Sequence, residues 1–173
     1  MESINKCLKE WNATVEALGN GNQTVLIRTY KTTLKEFLLY PTVSYANKDN
    51  YLESFQNKHQ SFVKENVLPK KEDNKVEIKY YATLEKIVEK SAQSTGNLQK
   101  FYIWTPKHVK SYLKGQKAYV WVLRVYKLKE PFMAEPTPMA IRYANLKKGI
   151  SLEGIKPVLS DKEFSKTIEA TRK

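Results

Sequence analysis

The sequence predicts an α+β fold: a single domain with a mainly antiparallel sheet, able to curl into a partly open barrel, and three flanking helices. Three observations carry this. Residues 75–85 alternate apolar with polar side chains over a full strand length. Residues 118–128, AYVWVLRVYKL, are apolar on both faces in their first half, as a strand covered on two sides must be. Helix start signals stand at Thr105-Pro106 and at Ser160 with Glu163, and the links between elements are short. The 173 residues suit one domain spanning 1–173, and 41% hydrophobic with 28% charged residues is the composition of a folded chain rather than a disordered one.

Taken in order, WNATVEAL (11–18) and NQTVLIRTY (22–30) are strand-like runs, and Gly19-Asn20-Gly21 between them reads as a hairpin loop. FLLYPT (37–42) is a short strand that Pro41 places at an edge or a strand end. Asn50 with Glu53 caps a helix on which Leu52, Phe55, His59 and Phe62 recur on one face. The 75–85 strand follows, with Val76, Ile78, Tyr80, Ala82 and Leu84 inward and Glu77, Lys79, Tyr81, Thr83 and Glu85 outward. A loop or short helix near 91–99 leads to a helix over PKHVKSYLKGQK (106–117), capped by Thr105. After the central strand, Pro131, Pro136 and Pro138 make 130–138 a loop or irregular edge. Ser160 and Glu163 form a capping box for a last helix over 161–173, with Phe164 and Ile168 as its apolar stripe.

Charge gives the best handle on a partner. The formal net charge is +12, and eleven basic against two acidic residues lie within 91–150, while each of the other three segments carries one excess positive charge. A general lysine bias would spread evenly; this block has a local cause, and a polyanion such as DNA or RNA would supply it. One cysteine, Cys7, excludes an internal disulfide, and with His59 and His108 it leaves too few ligands for a Cys/His zinc site. No segment has the apolar length to cross a bilayer and the N-terminus shows no hydrophobic signal core, so a cytoplasmic protein without a membrane partner is expected.

Several phrases, LKEWNATVEALGNGNQTVLIR, FLLYPT, FYIWTPKHVKSYL, YVWVLRVYKL and PVLSDKEF in that order, resemble the bacterial and archaeal proteins grouped as domain of unknown function 1802. The resemblance covers nearly the whole chain. It implies a single domain and, as the family's description says, no established activity. One departure is that VLIR is followed here by TYKTTLKE, without the glycine-containing basic stretch usual in the family. A strand-rich basic domain of this size is also similar in general architecture to the PUA and ASCH class of RNA-associated folds.

The residues that would carry nucleic-acid binding follow from the block. Lys107, Lys110, Lys114 and Lys117 are spaced 3, 4 and 3 and would form one stripe on the 106–117 helix, set to meet phosphates. Tyr102, Trp104 and Tyr126 are candidates to stack on unpaired bases. Arg28 and Arg124 each end an apolar strand run, where a guanidinium requires either a phosphate ligand or a fixed ion pair, for Arg28 with Glu10, Glu16 or Glu36. The alternative is a metal-dependent nuclease or other nucleic-acid enzyme: Glu77 and Lys79 stand two apart on a strand face, the E-x-K arrangement such nucleases place beside Mg²⁺. A solvated strand face explains the same triplet. Outside that alternative no cofactor or metal is expected. His59 lies on an apolar helix face, His108 off the lysine stripe facing solvent, and Gly19-Asn20-Gly21 fails the dinucleotide fingerprint.

Overall fold

The computed structural model describes residues 2–137 and 142–172. Strand β1 (Ser3–Trp11) runs straight into helix α1 (Asn12–Gly19), followed by β2 (Val25–Arg28) and β3 (Glu36–Thr42). Three 3₁₀ turns and helix α2 (Gln60–Glu65) lead to the short β4 (Lys71–Glu72) and the long β5 (Lys75–Lys90). A 3₁₀ stretch (Gln93–Phe101), helix α3 (Pro106–Leu113), β6 (Ala118–Ala134), β7 (Tyr143–Ser151), β8 (Lys156–Pro157) and helix α4 (Asp161–Thr171) complete the chain. The architecture is α+β, as the sequence predicts.

The strands form one mixed sheet in the order β2-β6-β5-β3-β1-β7, with β4 on β5 and β8 on β6. β1 and β3 are parallel; the other pairings are antiparallel. Successive residues face opposite sides, which separates two cores. Leu8, Leu39, Tyr80 and Ala82 join the larger one beneath α1, α3 and Phe164 of α4. Their neighbours Cys7, Leu38, Tyr40 and Tyr81 join a smaller one completed by Leu128, Ala144, Leu146 and Ile150. Tyr81, expected on a polar face, is therefore buried.

The sheet curls without closing. β2 and β7 stand at opposite ends of the strand order, and no pairing joins them among the described residues. Yet Arg28 at the end of β2 forms an ion pair with Glu10 near the end of β1. Side chains thus span a gap that backbone hydrogen bonds leave open.

Where the sequence misleads, the cause is physical. In the 11–18 run Trp11 closes β1 and residues 12–18 are helix, not strand, with Asn12, Ala13, Thr14, Val15, Ala17 and Leu18 all buried. A helix buried on nearly every side shows no amphipathic period for sequence reasoning to find. The expected hairpin at residues 19–21 is instead the exit from α1. The Asn50 helix is broken: Tyr51–Ser54 and Asn57–His59 are 3₁₀ turns, and Asn50 bonds the Glu53 side chain (3.1 Å) without capping the backbone. Phe55 leaves the helical path to bridge Trp104. β3 lies inside the sheet, but β5 pairs with it only through Leu38, so Pro41 sits where no second neighbour needs its missing N–H. β6 continues through Pro131 to Ala134, since the β5–β6 register shifts between Ile78 and Tyr80 and leaves Pro131 outside the ladder. Pro138 and Lys173 lie outside the described residues.

Both strong caps form as read. Thr105 Oγ accepts from the His108 N–H at 3.0 Å, with Pro106 in the first turn. Ser160 and Glu163 exchange the two bonds of a capping box at 3.1 and 3.0 Å. Helix α3, however, stops at Leu113. Lys114 takes a left-handed φ of 50° and Gly115 a φ of 77°, so the chain turns there instead of reaching residue 117.

Candidate functional site

Where the end of β2 approaches the end of β1 without pairing lies a cleft of about 650 Å³. The ends of β1, β2 and β3 form its walls, α3 contributes His108, Val109 and Tyr112, and Lys71, Pro136, Thr137 and Arg142 stand around it.

Its floor is the Glu10–Arg28 pair, at 8% and 12% side-chain exposure. Glu10 Oε1 accepts from the Trp11 backbone N–H (2.9 Å), and Oε2 accepts from Arg28, which also donates to the Ile27 carbonyl (3.2 Å). The Arg28 guanidinium sits 5.9 Å from the Trp121 ring centroid. Burial opposes its charge most strongly, but the adjacent Glu10 carboxylate together with Tyr30 and Tyr112 outweighs this and holds the guanidinium above its ordinary range. The floor is thus a fixed, charge-balanced donor and acceptor.

The aromatic walls are fixed from behind. Trp11 stacks on Tyr45 with centroids 4.8 Å apart. Tyr45 in turn accepts from the Ala13 N–H (3.1 Å) and donates to the Val67 carbonyl (2.7 Å), and burial pushes its phenol up to about 12, keeping it a donor. Tyr30 meets Trp121 edge-on at 5.7 Å, while the Trp121 indole N–H donates to the Tyr30 carbonyl at 3.1 Å. The Arg142 guanidinium lies 3.7 Å from the Tyr30 ring centroid, and its backbone carbonyl accepts from the Lys9 N–H (2.9 Å). The Lys9 ammonium sits 5.5 Å from the Tyr40 centroid. His108 packs 5.6 Å from Trp11, and its imidazole is held below the usual histidine range by burial and then by Lys48, against an opposing pull from Glu10. The expectation that His108 faces solvent is therefore corrected: it is half-buried on the cleft.

Of the residues the sequence singles out for binding, the cleft gathers Arg28 and Trp104. Tyr102 is fully buried and donates to the Thr95 carbonyl (3.1 Å), so its ring is not available to stack on a ligand. Tyr126 packs against Tyr81 at 5.7 Å, beside the smaller core. Arg124 anchors α4: it donates to the Leu159 carbonyl (2.7 Å) and to Asp161 (3.0 Å), with Phe164 5.0 Å beneath the guanidinium. The four-lysine stripe is not one helix face. Lys107 and Lys110 are exposed on α3, Lys114 lies beyond its end, and Lys117 pairs with Glu89 at 3.2 Å. The rest of the basic block is strung along the sheet: Lys127 and Lys129 lie on β6, and Lys147 and Lys148 on β7. On β5, the Lys79 ammonium is held by Glu16 at 2.5 Å, with Tyr80 alongside, rather than standing free beside Glu77.

Sequence reasoning missed Lys9, Trp11, Tyr30, Tyr40 and Lys71 as cleft residues and counted Arg142 only as part of the block. The available signals were Arg28, with Glu10 named among its partners, and Trp104; the rest come from segments that only the curl of the sheet brings together. Among the described residues no three His, Cys, Asp or Glu side chains gather as a metal site.

The fold has solved counterparts. The fold is similar to ASCH from Zymomonas mobilis, at 14% identity and a TM-score of 0.50 over 95% of this chain and 93% of that one. A mutant form of that protein aligns at 14% identity and a TM-score of 0.51 over 96% and 95%. A second mutant form gives 13% identity and 0.50 over 95% and 96%. The fold is therefore ASCH-like. The chain belongs to the family described as Domain of unknown function (DUF1802), which it matches over residues 7–170. No curated protein matches it.

Proposed function

We propose that this protein binds DNA or RNA through the cleft, without covalent catalysis. The observation that carries the reading is the alternation of rigid aromatic rings with cations around one concave space: Trp11, Tyr30 and Tyr40 with Lys9 and Arg142, over the charge-balanced Glu10–Arg28 pair. Stacking surfaces beside positive charges are what unpaired nucleotides need. The net charge of +12 supports the same partner, as does the fold shared with ASCH structures, a class associated with RNA. Lys71 and Arg142 at the cleft, with Lys107 and Lys110 on the outer side of α3, would meet the flanking phosphates.

Titrating labelled RNA and DNA, single- and double-stranded, against the full chain at several salt concentrations tests this. Three to five phosphate contacts give a log-affinity against log-salt slope of about −2 to −3.5 for single strands. Changing Lys107 and Lys110 together to Glu weakens binding across all sequences. Absence of binding to any nucleic acid at low salt, or a flat salt dependence, refutes the reading.

A further inference from the structure

Charge is graded through the cleft. At the floor the guanidinium of Arg28 is already matched by the Glu10 carboxylate, so this buried pair is neutral overall. Toward the outside the balance is positive, with Lys71 and Arg142 exposed and Lys9 half-buried. A phosphate placed deep would meet a carboxylate, whereas a phosphate at the mouth would meet cations. A neutral group carrying both a donor and an acceptor suits the floor.

The floor also has capacity to spare. Among the described residues, the Glu10 carboxylate accepts from Trp11 and Arg28, about half of its lone-pair sites. Arg28 donates to Glu10 and Ile27, two of the roughly five N–H groups of a guanidinium. Both residues line the cleft. A volume of about 650 Å³ is that of a pocket for a small organic group, and a single nucleoside fits it.

We infer that the cleft receives a single unpaired nucleobase, with its Watson–Crick edge on the Glu10–Arg28 pair, its ring beside Trp11 and the Tyr30–Arg142 stack, and its sugar-phosphate at the cationic mouth. The inference rests on the nucleic-acid reading and assigns Glu10 and Arg28 as the residues that discriminate between bases. The same chemistry is offered by a free nucleoside and by a base turned out of a strand. Because the cations stand at the mouth, where phosphates on either side would run, the strand is the tighter ligand.

The test uses the full chain and short single strands of A, C, G or U, their duplexes, free nucleosides and ribose phosphate. Single strands bind more tightly than duplexes, and the four homopolymers differ by about 5- to 150-fold, the range of one good paired base contact. Glu10→Gln and Arg28→Lys collapse that spread, whereas Arg142→Ala lowers affinity for all four alike and preserves it. A fluorescent purine analogue within the strand brightens on binding as it leaves its neighbours. Nucleosides compete weakly and ribose phosphate does not. Duplexes that bind as well as single strands, a spread unchanged in folded Glu10→Gln, or ribose phosphate competing as well as nucleosides would each overturn the inference while leaving nucleic-acid binding intact. If the Glu10 and Arg28 variants do not fold, the duplex and competition measurements on the unaltered protein decide it. Loss of all nucleic-acid binding at low salt removes the broader reading, and this one with it.

Discussion

Replacing Glu10 with Ala removes the partner of a guanidinium that is 12% exposed and whose pair bridges two strands that share no backbone hydrogen bonds. The replacement leaves Arg28 charged in a site where burial already works against it. Breaking such a pair costs about 3–5 kcal/mol, because an uncompensated buried charge remains. The Trp11 N–H loses its acceptor as well, so the upper part of that range is expected. For a chain of 173 residues, at about 2–4 °C per kcal/mol, melting falls by about 6–20 °C. Thermal unfolding followed by circular dichroism, with urea titration as a second measure, reads the loss. The double change Glu10→Gln with Arg28→Met removes both charges and recovers most of the stability, since the expense lies in the orphaned cation and not in the absence of attraction. A loss below about 1 kcal/mol in Glu10→Ala, the size expected of an exposed pair, would show that water reaches Arg28 freely and would refute the description of a buried floor.

Other consequences are open to simpler measurements. Gly19→Ala places a Cβ within 2.1 Å of Tyr80 Cζ, so α1 or the Tyr80 ring must move, and a destabilisation of about 1–3 kcal/mol is expected in urea titration. Ser160→Ala deletes the capping box at the start of α4 and costs about 1 kcal/mol by the same assay. His59 and His108 are both held below their ordinary value of 6.5 by burial, so the unfolded chain binds more protons as pH falls through and below that value. Melting temperature therefore declines on acidification from pH 7 toward 5, and His108→Gln makes the decline shallower. The Cys7 thiol is fully buried and pushed up to about 12, so a thiol reagent modifies the native protein at the rate of unfolding rather than at the rate of a free thiol.

The sequence by itself determined the elements whose signals are local. Alternation over 75–85 marked β5, the two-sided apolar run marked β6 as central, and Thr105-Pro106 and Ser160/Glu163 fixed two helix starts, because each depends on contacts within a few residues. The five ordered phrases likewise marked the family over nearly the whole chain. Elements whose form comes from burial were hidden: α1 is covered on almost all sides and has no period, and β1 and β7 carry no run strong enough to stand out. The site was the least legible part. The net charge pointed to a partner, but the concentration of lysines in 91–150 pointed to residues spread along β6 and its neighbours, while the cleft draws Lys9, Glu10 and Trp11 from β1, Arg28 and Tyr30 from the β2 region, and Arg142 from the far side of the chain. Their approach is decided by a sheet that curls until β1 and β2 face each other without hydrogen-bonding, and only tertiary structure sets that curvature. The Arg28 side chain required a counter-charge on physical grounds; which carboxylate supplied it, and that the pair would form the floor of a cleft, became known from the folded chain.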